Sequence, residues 1–348
     1  MLREATISTL HWCEKTMSVL KEQQLIALEN WIDQCPSYAL FDEGCRLEDT
    51  QLWWDLSFYA GEGYAPEQLF EVKRMRDIVL GRMEEEIDLV SVTEHMLLER
   101  MLLFEGEAEL IEWEEISAAQ ALVARLWCSL TKQGDSFYIR LPKALQMPML
   151  EWMNSDKHSL IRESLFGFDA TIHGLLYIAG FLHAGQPIDH FLNDVVQRRD
   201  SLSRLLARRY LCAAFDYMID SKGEMILLHP GLADPEHLLC QLKDEGVYSM
   251  ELDQNMMLGG MNGVFPEELP LFDLMCGALQ GALRPEYTPE DAAIDLRLLA
   301  KQGVNYDEMQ EVLCAMLTGL PTRDMLALLR RINAETPLWV GLRSKLRH

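Results

Sequence analysis

No C-x-x-C pair occurs among the eight cysteines of this 348-residue chain. Most of them stand inside apolar runs such as RLWCSL, YLCAAF and VLCAML. There a cysteine behaves as a small buried hydrophobe. The pattern excludes a zinc ribbon or a disulfide framework and fits a reduced, cytoplasmic protein. Long apolar runs are missing too. None reaches the ~18 residues a membrane-spanning helix requires, and the opening MLREATISTLHWCEK contains no apolar core of a secretory leader. Positive charge is scarce, with 31 Lys and Arg against 55 Asp and Glu and a net charge of −24. Such a field repels phosphate backbones and anionic lipid, so membrane binding is not expected and nucleic acid would need a locally basic surface. Catalytic signatures are equally sparse. The chain has no G-x-S-x-G elbow, no H-E-x-x-H and no P-loop ending. Neither a cofactor nor a metal is expected.

What is present is acidic and helical. Residues 1–134 carry 11 basic against 26 acidic side chains, residues 135–287 carry 12 against 21, and residues 288–348 carry 8 against 8. These bounds divide the chain into an acidic helical region, a central α+β region and a C-terminal cluster of short helices. Leu, Met, Trp and Val at three- and four-residue spacing predict amphipathic helices over 2–34, 47–60, 65–84, 91–104, 114–132, 143–154, 156–184, 188–198 and 200–219. SFYIRLP (136–142), EMILLHP (224–230) and GVYSMEL (246–252) change to strand character around a short helix at 234–245. The expected fold is mainly α, a multi-helical protein with a small two- or three-stranded sheet in the central region.

The C-terminal region is punctuated most clearly. Thr288, Asn305 and Thr322 read as N-caps, the first two followed three residues on by Asp291 and Glu308, while Gly303 and Gly319 read as helix-ending glycines. A final short helix is expected from Pro337.

Four constellations could carry function. In FDATIHGLLYIAGFLH (168–183), Arg162, Asp169, His173 and His183 fall on one helical stripe, and Asp169 and His173 are close enough to touch. The pair could seed a metal-dependent hydrolase, but a helix supplies only two ligands where zinc needs three or four. A buried structural Asp–His pair is the expected reading. QNMMLGGMNGVF (254–265) reads as an adaptable Met-lined loop. Acidic runs such as EGEAELIEWEE read as solvated helix faces. Finally, Ala315, Gly319, Leu320, Met325 and Leu328 loosely resemble a helix-turn-helix, with Arg323, Arg330 and Arg331 on or beside its second helix. That resemblance implies a transcriptional regulator. The lack of a catalytic signature and the acidic field favour instead a non-enzymatic adaptor or regulator whose partner is another protein with a basic surface.

Overall fold

The computed structural model describes residues 16–31, 72–112, 114–183, 204–219, 223–236 and 269–339. In chain order these form α1 (Met17–Trp31), α2 (Val72–Glu86), a 3₁₀ turn (Ile87–Leu89), α3 (Val92–Leu103), β1 (Glu107–Glu109), α4 (Glu114–Ala124), β2 (Ser129–Gln133), β3 (Ser136–Arg140), α5 (Lys143–Met153) and α6 (Asp156–Ala179). There follow β4 (Phe181–His183), α7 (Arg204–Ala214), β5 (Tyr217–Ile219), β6 (Met225–Leu228), α8 (Leu269–Leu279), α9 (Pro289–Lys301), α10 (Tyr306–Met316) and α11 (Arg323–Glu335). The protein is mainly α, with two small three-stranded antiparallel sheets among the described residues. The helices expected at 47–60 and 188–198, the strand at 246–252 and the loop at 254–265 lie outside the described residues, as do all but the start of the helix expected at 234–245 and most of the final helix after Pro337.

The chain forms two compact units. Unit 1 comprises Met1–Glu22, Ala170–Phe191 and Phe215–His348, and unit 2 comprises Gln23–Asp169 and Leu192–Ala214.

In unit 2, Ser91 accepts a hydrogen bond from the Glu94 amide, and the Glu94 carboxylate takes the Ser91 amide in return. This capping box starts α3 and is worth about 1 kcal/mol. At the other end of α4, Leu126 sits at φ 61°. Its amide bonds to Val123 O and the Trp127 amide to Leu122 O, the paired closure usually built on glycine. The turn swings the chain into β2, so the helix expected to reach residue 132 stops at Ala124. β2 and β3 are then joined through Gly134 and Asp135, with Gly134 at φ 64° as a tight hairpin requires. Ala108, Ile139 and Leu130 lie side by side across β1, β3 and β2 and are all buried. With Trp127, Leu97, Leu122 and the Leu145, Met149, Met153 stripe of α5 they make the core of this unit.

In unit 1 the three N-caps lie where the sequence places them. The side chains of Thr288, Asn305 and Thr322 accept from the amides of Asp291, Glu308 and Met325. Gly303, at φ 80°, ends α9, with Gly303 N–H to Ala300 O and Val304 N–H to Leu299 O. Gly319 does not end α10. That helix stops at Met316, because Leu317 turns extended and bridges Leu283 while Thr318 N–H bonds to Ala282 O. Leu296, Met309, Leu313 and Leu329 meet in the core of α8–α11; each fully buried side chain contributes roughly 1.5–3 kcal/mol.

Candidate functional site

The helix carrying the polar stripe is shorter than its sequence pattern. α6 ends at Ala179, and Gly180 adopts φ 79° with the Trp339 ring where a Cβ would be, 2.5 Å from Cδ2. Past that close approach the chain runs out as β4. His183 is therefore on a strand, in register with Ile226, and not on the helical stripe. Asp169 and His173 do lie on α6, but only Asp169 is buried; His173 is exposed, its ring 4.8 Å from that of Phe215. The reading of both as buried is thus corrected. Asp169 accepts a hydrogen bond from the Tyr210 hydroxyl at 2.8 Å. Burial, and then the Asp169 charge, push the Tyr210 phenol well above its ordinary value.

Arg162 belongs to a polar cluster in unit 2 that the sequence did not announce. Its guanidinium donates to Nε2 of the buried His95 at 2.6 Å. Nδ1 of His95 is therefore the protonated nitrogen, and it lies 3.6 Å from the Glu99 carboxylate. Burial, Arg162 and His158 hold His95 down at about 3. His158 stacks on His95 with centroids 5.9 Å apart, and its Nδ1 lies 2.7 Å from Asp88. Asp88–His158 has the carboxylate–imidazole form of a proton relay. Its Nε2 is buried and has no hydrogen-bond partner among the described residues. The cluster ties the 3₁₀ turn, α3 and α6 together.

In unit 1, Arg297 and Lys301, one turn apart on α9, are both buried against aromatic rings. Lys301 Nζ lies 4.2 Å and the Arg297 guanidinium 5.6 Å from the Tyr177 ring centroid. The Trp339 indole donates to Tyr177 O. His229 stands beside Tyr177 and Trp339 and is held down at about 3 by burial, with His173, Lys301 and Arg297 adding to the effect. The residues of this grouping come from α6, the turn after β6, α9 and the segment after α11, at spacings no local motif records.

Among the described residues, no group of three or more His, Cys, Asp or Glu is placed to hold a metal ion, and no helix is long and apolar enough to cross a membrane. In the C-terminal cluster, Met325 is buried and Leu328 packs against the core, but Leu320 is 94% exposed and holds nothing. Arg323 is exposed, Arg330 lies over the Tyr306 ring at 5.0 Å, and Arg331 pairs with Glu335 at 2.9 Å.

The last feature is a surface. From Glu99 to Glu115 the chain holds seven glutamates against Arg100 alone. Arg100 is engaged by Glu115, and Arg140 by Glu107. Glu99, Glu105, Glu109 and Glu112 are exposed. No family model matches the chain, and neither does any curated protein or solved structure.

Proposed function

We propose that the protein is a non-enzymatic adaptor or regulator that works by binding another protein with a basic surface. The observation that carries this reading is the exposed glutamate face of α3, β1 and the segment leading into α4. Cations there are engaged within the fold, so the face presents negative charge outward. Such a face raises encounter rates with a cationic partner and disfavours acidic ones. The supporting counterpart is the character of the polar groups in the interior. Asp169, His95 and Glu94 each bond to a named partner, an arrangement suited to holding helices in place.

The test is affinity capture from the native host on immobilised full-length protein, read by mass spectrometry at two salt concentrations. A basic protein should be retained in near-stoichiometric amount at about 50 mM salt and released near ~1 M, where the screening length falls to ~3 Å. Retention indifferent to salt, or of acidic proteins only, sinks the reading.

A further inference from the structure

We infer that the turn after α3 is a docking knob for a basic amphipathic helix of a partner protein, an inference that rests on the adaptor reading above. Leu103 is 78% and Phe104 65% exposed at the C-terminal end of α3. Large apolar side chains gathered so openly on a folded surface mark contact sites more often than isolated ones do.

The turn is built to hold them out. Glu105 takes φ 56° and Gly106 φ 91°, two successive residues on the left-handed side. Glutamate there costs roughly 1 kcal/mol, and the surrounding bonds hold it. Gly106 N–H bonds to Met101 O and Leu141 N–H to Gly106 O, each at 2.7 Å. Gln146 of α5 donates to both Glu105 O and Leu141 O at 3.1 Å. A Cβ on Gly106 would fall 2.8 Å from the backbone oxygen of Leu141 at a φ of 91°, so glycine is required. The apolar pair is thus presented on a braced turn, and binding need not order it.

The segments bonded to this turn carry exposed apolar side chains of their own. Met147 and Leu150 follow Gln146 on α5 by one and four residues and are 61% and 40% exposed. Arg100, one turn before Leu103, bonds to Glu109 O and Glu115 and holds the 109–115 segment, with Ile111 70% exposed. The same segments carry the exposed carboxylates of Glu105, Glu109, Glu112 and Glu151.

Charge complementarity names the occupant. A partner must bring apolar side chains for the centre and cations for the rim, on one face. A helix with leucines at three- and four-residue spacing flanked by lysines or arginines does that. Strand addition is the weaker fit, because β1 offers an edge only three residues long.

The experiment uses full-length protein and a fluorescein-labelled peptide of about 18 residues, leucine and lysine only, patterned as an amphipathic helix. A second peptide of the same composition has its leucines scattered. The patterned peptide should bind and the scattered one more weakly. Leu103→Gln plus Phe104→Ser, and independently Met147→Gln plus Leu150→Gln, should each weaken binding about tenfold or more, as loss of a central apolar anchor does. These side chains are exposed, so circular dichroism and melting temperature should stay at wild-type values. Glu105→Gln, Glu109→Gln and Glu112→Gln together should remove most of the salt dependence. Equal affinity of wild type and both apolar double variants overturns the docking knob while leaving the adaptor reading standing, since that is judged by the captured partner. Failure of the patterned peptide to bind also overturns the knob. So does a wild-type dimer that sedimentation shows becoming monomeric in the Leu103→Gln, Phe104→Ser variant, because a second copy would then occupy the face.

Discussion

At the scale of single residues, the buried charges set the largest mutational effects. Glu94 is 3% exposed, and its carboxylate is shared between the Ser91 amide and the Arg125 guanidinium. Arg125 also stands 3.8 Å from Glu86 and over the Trp127 ring. Removing Arg125 strands a carboxylate in the core, which costs roughly 3–5 kcal/mol, whereas replacing both partners by neutral groups costs less. Urea melts of Arg125→Met, Glu94→Gln and the double variant should therefore be clearly non-additive, with the double variant more stable than Arg125→Met. Additive losses would mean the two groups are not a buried pair. The same logic applies to Asp169. Tyr210→Phe removes a hydroxyl donor to a buried carboxylate and should lower unfolding stability by about 1–3 kcal/mol. Asp169 was legible as a buried acid from its neighbours Phe168, Ile172 and Leu176. Its donor was not, because Tyr210 is 41 residues away and hydrophobic period reports only what lies on one element. Helical spacing also joined His173 to the buried stripe, although its ring faces out beside Phe215.

At the scale of elements, helix starts were written in the sequence and several helix ends were not. A start needs a short side chain that can accept an amide hydrogen, and Thr288, Asn305 and Thr322 advertise it by type. Many ends use a residue in the left-handed region, and only glycine advertises that. Gly303 did, but Glu105 and Leu126 occupy the same conformation with ordinary side chains and carry no such signal. This is why the helical pattern from 114 runs straight through the turn into β2. Gly319 is the converse case, because its type advertises a helix end that the bridge between Leu317 and Leu283 has already made. A paired substitution separates the two glycines. Gly303→Ala forces a Cβ into φ 80° and should cost about 1 kcal/mol. Gly319→Ala meets nothing within 4 Å and should leave the melting temperature within error. Equal losses at both positions would contradict the assigned helix ends. The β strands 181–183 and 217–219 were lost to the helices before them, since three-residue strands are too short to show an alternation of their own.

At the scale of the whole molecule, the two units should respond to acid in different ways. His95 in unit 2 is held at about 3 against an ordinary 6.5. Its folded state stays neutral while the unfolded chain takes up a proton, so the stability it contributes is present above 6.5 and is lost as pH falls toward 3. By pH ~4 that loss is about 3 kcal/mol. Glu115 adds to it. Burial pushes its carboxyl up, but Arg100 and the amides of Ile111 and Glu112 outweigh this and hold it below its ordinary value. Its contribution is present above 4.5 and fades as pH drops further. Unit 1 contains opposed groups. His229, also held at about 3, acts like His95. Asp295 acts in the other direction. It is fully buried on α9, and the Met17 amide at the start of α1 donates to both its carboxylate oxygens at 2.9 and 3.2 Å. Burial nevertheless raises it from 3.8 to about 7, with Asp291 adding to the rise and Met17 and Lys21 opposing it. A raised carboxyl binds its proton more tightly when folded, so its contribution is present below 3.8 and is lost as pH rises through about 7. Acidification therefore weakens unit 1 through His229 and strengthens it through Asp295, leaving a small net change. Amide hydrogen exchange, corrected for intrinsic rates, at pH ~7 and ~4.5 should show protection falling in α3 and α4 while α9 and α10 change little. Asp295→Asn removes the compensating group and keeps an oxygen for the Met17 amide, so unit 1 should then lose protection in acid as unit 2 does. If α9 and α10 in that variant remain as indifferent to acid as in the wild type, the opposition between His229 and Asp295 is not what steadies unit 1.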